Sequence, residues 1–174
     1  RRLQQRRTAL RAQVAGTPEA RWAEAVLAAD EAARDERWPE AAEAYERAID
    51  LAKTGIQSYP EAAAEVFLGA GIAHLQNGQP DRARQCFESA GALRPGAIEP
   101  ELLAGISYGS EGNAARAEEL FSRLYDRVEG MKEARRPSSA SFVASWVTMF
   151  YWTRWRDIER ALKWADRIPP SYER

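Results

Sequence analysis

A single cysteine, Cys86, excludes an intrachain disulfide and leaves no thiolate set for a structural metal, which suits a reducing, cytoplasmic setting or simple indifference to redox state. A single histidine, His74, has no second imidazole with which to build a metal site. No phosphate-cradling glycine loop, no Ser/His/Asp set and no cluster of metal ligands is present, so neither an enzyme nor a cofactor is expected. No apolar run approaches the ~20 residues that cross a bilayer. β-branched residues are scarce and nowhere alternate with polar ones between turn signals, which argues against strands and for an all-α chain. Lysine is scarce too, 3 against 22 arginines, a bias expected of a GC-rich bacterial genome. The chain opens at Arg1 without Met and is read as an excised segment, possible targeting signals upstream being invisible in it.

What is present is a recurrence. Ala41, Tyr45 and Ala48; Ala83, Phe87 and Ala90; Ala117, Phe121 and Leu124; and Ile158, Leu162 and Ala165 each stand at i, i+4 and i+7. That spacing places each triplet on one face of a helix. A second helical pattern precedes every triplet, and turn signals such as Asn77-Gly78 and Gly112-Asn113 separate the two, so the unit is a helical hairpin. Helices are predicted over 18–37, 39–53, 60–76, 80–93, 100–110, 114–130, 139–154 and 156–167. Pro18, Pro60 and Pro80 suit a first helical turn. Residues 1–17 are expected to form an N-terminal helix or a linker.

The first members of the triplets are offset by 42, 34 and 41 residues. Residues 64–97 resemble the tetratricopeptide repeat family, with Phe67 at the large aromatic position, Ala70-Gly71 at the apolar-small pair and His74 where Tyr is usual. Ala83, Phe87, Ala90 and Pro95 complete the signature. Residues 98–131 repeat it with Ala104-Gly105, Tyr108, Ala117, Phe121 and Leu124, though Glu129 replaces the closing Pro. Residues 22–55 and 139–172 are poorer copies, the last with Trp146 where a small residue normally sits. The resemblance implies an all-α, right-handed superhelical solenoid of about four stacked helix-turn-helix units. His74 at a core-facing position is expected to pack and not to act chemically. Small residues let helices approach, aromatics fill the gaps, and stability comes from stacking because no hairpin covers its own apolar face.

The resemblance also implies a concave groove lined by the first helix of each hairpin. Through the matched registers its residues are Val26, Leu27 and Asp30, then Leu68, Ile72 and Leu75. Leu102, Leu103 and Ile106 follow, then Val143, Val147, Phe150 and Tyr151. A carboxylate clamp of the kind found in chaperone cofactors of this family is rejected, because Val26, Asp30, Ile72, Leu102 and Ile106 cannot donate hydrogen bonds to a carboxylate. An amphipathic helix or extended segment of a partner suits an apolar groove. The competing reading is that these residues pack within a tight superhelix or beneath the N-terminal helix.

Charge is uneven: residues 1–21 sum to +5, residues 22–131 to −10 and residues 132–174 to +4. Such asymmetry suits steering of a basic partner or head-to-tail self-association, while the acidic centre and a pI near 6.0 argue against nucleic acid. Four of the six Trp fall between 146 and 164. Trp146 and Trp164 are expected to seal the last hairpin, and Trp152 and Trp155, near a predicted turn, to offer a contact surface. The expected function is a non-enzymatic module that binds a protein or peptide, with a regulatory or self-associating domain of a larger bacterial protein as the alternative.

Overall fold

The computed structural model describes residues 16–55, 60–130 and 137–168. Among these, eight helices and no strand are found, so the all-α expectation holds. Residues 1–15 of the expected N-terminal helix or linker lie outside the described residues.

The chain divides into two compact units, Arg1–Pro95 and Gly96–Arg174. In unit 1, α1 (Pro18–Arg34), α2 (Trp38–Gly55), α3 (Pro60–Gln76) and α4 (Pro80–Leu93) pack each on the next, and α1 also touches α3. Unit 2 repeats the arrangement with α5 (Ile98–Ser110), α6 (Ala114–Gly130), α7 (Pro137–Thr153) and α8 (Ile158–Ala165), α5 touching α7.

Local chemistry sets the helix ends. Thr17 caps α1 by accepting from the Ala20 N–H at 3.2 Å, with Pro18 in the first turn, and Asp157 caps α8 by accepting from the Arg160 N–H at 3.0 Å. The turns after α1, α3 and α5 share one closure, in which a residue in the left-handed region is followed by an N–H that reaches back five residues. The bonds are Arg37 to Ala32, Gln79 to His74 and Asn113 to Tyr108, at 2.8, 2.8 and 3.0 Å. Gly78 and Gly112 supply the left-handed residue in two of the turns, and Glu36, at φ 57°, supplies it in the first. Nothing about Glu36 marks a stop, which is why α1 ends at Arg34 and not at Arg37 as predicted. Because a side chain in that conformation costs ~1–2 kcal/mol, Glu36→Gly is expected to stabilise unit 1 by ~1 kcal/mol. Urea midpoints of the two proteins check this.

Packing follows the triplets. All nine residues of the first three are buried. Phe87 of α4 lies over Gly71 of α3 and Phe121 of α6 over Gly105 of α5, so close that a Cβ on either glycine would stand 2.3 or 2.4 Å from the ring. The same device joins neighbouring hairpins, with Tyr45 over Gly69 in unit 1 and Trp155 over Gly109 in unit 2.

The fourth triplet is corrected. Ile158 and Leu162 are each 57% exposed, and Ala161 and Trp164 face the core instead. Trp164 is fully buried, donates Nε1–H to the Glu118 carboxylate at 3.1 Å and stacks edge-on to Phe121 and Tyr125. Burying one Trp outweighs burying Ile and Leu when the Trp also satisfies its polar atom, so α8 is rolled to place Trp164 inward. It begins at Ile158, two residues later than predicted, behind the Asp157 cap.

Candidate partner-binding faces

In unit 1, Leu27 on α1 is 67% exposed and Ile72 on α3 is 38% exposed, with Val26 and Leu75 half-buried. These two helices touch within unit 1. Asp30 is exposed but engaged, its Oδ1 accepting from the Tyr45 hydroxyl at 2.6 Å. Leu68 is buried and faces inward, which removes it from the predicted lining.

Unit 2 departs further. Leu102, Ile106, Val143, Val147 and Tyr151 are buried, and only Leu103 and Phe150 of the predicted lining are half-buried. The reason is visible in α7, whose buried residues Val143, Ala144, Val147 and Tyr151 turn toward the unit interior. The outward side is left to Phe142, Trp146 and Met149, which the family register had not assigned to a face that meets a partner. Their signal in the sequence is the composition of residues 137–153, where 17 residues carry no charge. A helix apolar on every side has more surface to cover than one neighbour supplies.

Two of the tryptophans, Trp146 and Trp155, exchange the roles expected of them. Trp155 is no free contact residue: it is half-buried, stacks on Phe121 at 6.3 Å and meets Tyr151 edge-on at 4.9 Å. Trp146, expected to seal the hairpin, is exposed on the outside, whereas Trp164 does seal it. Trp152 is exposed as expected.

Polar groups lock both units. In unit 2 the Glu118 carboxylate of α6 accepts from Tyr151 of α7 at 2.6 Å and from Trp164 of α8, tying three helices to one acid. His74 is buried in unit 1, its Nε2 3.2 Å from Glu46 of α2 and its Nδ1 2.8 Å from Gln79, so it joins two hairpins as well as packing. Burial first, and the adjacent carboxylate second, push the Tyr45 and Tyr151 phenols above their ordinary value. Burial pushes the Cys86 thiol up to about 11, helped by the charge of Glu46.

These raised values have a sign. The unfolded chain ionises tyrosine near pH ~10 while the folded chain still holds the proton, so stability is full below that pH and falls as pH rises above it. Urea midpoints measured at pH 9 and pH 11 are expected to drop in the parent and to drop less in Tyr45→Phe and Tyr151→Phe, with Cys86→Ser separating the thiol's share.

The sequence matches no protein-family model and no curated protein. Among solved structures, one titled "Crystal structure of MamA protein" is similar, with 14% identity, 86% of this chain and 91% of that chain covered, and a TM-score of 0.45. Among the described residues, no helix is long and apolar enough to cross a membrane.

Proposed function

We propose that this chain is a tetratricopeptide-like module that binds an apolar segment of a partner protein on the first-helix side of unit 1. The observation that carries the reading is the exposure of Leu27 and Ile72 on two helices that touch. Large aliphatic side chains on adjacent helices suit the apolar anchors of an amphipathic helix or an extended strand, and Val26 and Leu75 on the same helices are half-buried. Exposed acids on the same two helices, Glu24, Glu31 and Glu61, favour a partner whose flanks are basic. Glu65 is already paired with Arg94 of α4.

Photocrosslinking from a reactive amino acid at position 27 in the native host identifies the partner. Leu27→Glu and Ile72→Glu are each expected to weaken its binding by tenfold or more, since a charge on an apolar anchor costs roughly 2 kcal/mol or more, with helical circular dichroism unchanged. Undiminished binding by the folded double variant would reject the reading.

A further inference from the structure

Residues 1–15 match the Leu27 side of α1 in chemistry. They carry five arginines, Arg1, Arg2, Arg6, Arg7 and Arg11, and no acid. Leu3, Leu10 and Val14, at i, i+7 and i+11, fall on one stripe at helical spacing, with Arg6 and Arg7 at its edges. On α1, Leu27 is 67% exposed, and the exposed acids Glu24, Asp30 and Glu31 stand at i−3, i+3 and i+4 from it, on the same side of the helix. Arg34, at i+7, sets one base against these three acids. An apolar stripe edged by bases therefore meets an apolar residue edged mainly by acids.

The junction between the two gives the direction of the chain. Gly16 lies in the left-handed region at φ 87°, two residues before α1 begins, and Thr17 caps the helix. No atom stands within 4 Å of a Cβ added to Gly16, so it is the backbone conformation that calls for glycine there. Inside the four hairpins, Glu36, Gly78, Gly112 and Arg156 hold the same offset before α2, α4, α6 and α8, and the two helices that each turn joins pack together. Connections this short set consecutive helices antiparallel. Leu27 lies nine residues past Pro18, ~13 Å along α1, and 15 helical residues reach ~22 Å. A chain returning from Gly16 would thus bring Leu10 and Leu3 to either side of Leu27.

We infer that, when no partner is bound, residues 1–15 fold back antiparallel on α1 and cover Leu27, so that a partner must displace them. This regulation rests on the partner-binding reading of unit 1. Exposed charge pairs give the contact little strength of their own. The short tether compensates, holding the segment at roughly millimolar effective concentration, and salt weakens the contact.

A photoreactive apolar amino acid at position 27 of the purified full chain reads the occupancy. The expected result is a crosslink from position 27 into residues 1–15 at monomer mass. Its yield is expected to fall at least ~5-fold in Leu10→Glu, in the pair Arg6→Glu with Arg7→Glu, and on raising ionic strength from about 0.01 M to 1 M. Circular dichroism confirms the fold of each variant, and the arginine pair carries the test if Leu10→Glu does not fold. Equal yields in parent and variants mark chance collisions of a free tail and overturn the inference, as does the absence of a crosslink. A crosslink at dimer mass overturns it in favour of a second copy. Partner binding tells this inference from the reading it rests on. Against the partner captured in the host, Leu10→Glu is expected to bind ~5-fold tighter because it frees the face, whereas Leu27→Glu binds about tenfold weaker. Capture of a partner at position 27 without any crosslink into residues 1–15 would reject the cis cover and leave the unit 1 reading standing.

Discussion

Trp164→Ala is expected to destabilise unit 2 by ~3–5 kcal/mol, the cost of truncating a large buried aromatic. Trp164 is fully buried, with Phe121 at 6.3 Å and Tyr125 at 5.8 Å around its ring and the Arg167 guanidinium 4.2 Å above it. Truncation opens a cavity lined by rings fixed by other contacts, which cannot all collapse into it. It also removes the donor that ties α8 to Glu118 on α6. A domain holds only ~5–15 kcal/mol of net stability, so most of the margin of unit 2 is at stake. Trp164→Phe separates the two losses, since it keeps much of the packing and removes the hydrogen bond alone, worth ~1.5–3 kcal/mol when the acceptor is charged. Amide hydrogen exchange across α6–α8 measures both variants, and an unchanged exchange rate in Trp164→Ala would show that α8 does not seal the unit.

Gly71→Ala is expected to cost unit 1 ~1–3 kcal/mol, against the usual direction for a glycine within a helix. On propensity alone the substitution should gain up to ~1 kcal/mol. The new Cβ, however, would stand 2.3 Å from Cε1 of Phe87, and Phe87 is buried with its ring already against the helix. Overpacking outweighs propensity. Gly130→Ala supplies the contrast, because no atom outside its own helix lies within 4 Å of the added methyl, and its effect is expected to be neutral or slightly favourable. Pairing Gly71→Ala with Phe87→Leu should recover part of the loss, since the two sites share one space and their effects do not add. Chemical denaturation of the three single and double variants tests the sign.

These examples show where sequence reading was sufficient. The aromatic and small residues of the first three triplets were legible because helical spacing of that kind has one physical use, close contact between helix faces. Gly71 and Gly105 were legible as approach points for the same reason, and the structure supplies the ring that sits over each. The last hairpin was less legible. Ile158, Leu162 and Ala165 share one helical face and Ala161 and Trp164, three residues apart, share another, and nothing in periodicity alone prefers one face of α8 to the other. The choice rests on Trp164 reaching Glu118, a residue 46 positions earlier in the chain.

The candidate site divides along the same line. Leu27 and Ile72, both read as groove lining, lie exposed on α1 and α3. Leu68, Leu102, Ile106, Val143, Val147 and Tyr151 were assigned to the same lining and are buried. A helix apolar on more than one side offers several equivalent stripes, and only its neighbours select which of them faces outward.

By itself, then, the amino-acid sequence determined that this protein is helical, where its helices begin and end to within a few residues, and which small and aromatic residues of the first three triplets lie on a contact face. Caps, turns and i, i+4, i+7 spacing act over a few residues, so they are written locally. Tertiary structure alone decided the roll of α7 and α8, the burial of Trp155 and the exposure of Phe142, Trp146 and Met149. Those outcomes depend on competition between faces for a limited buried volume, and that competition is settled by residues far apart in the chain.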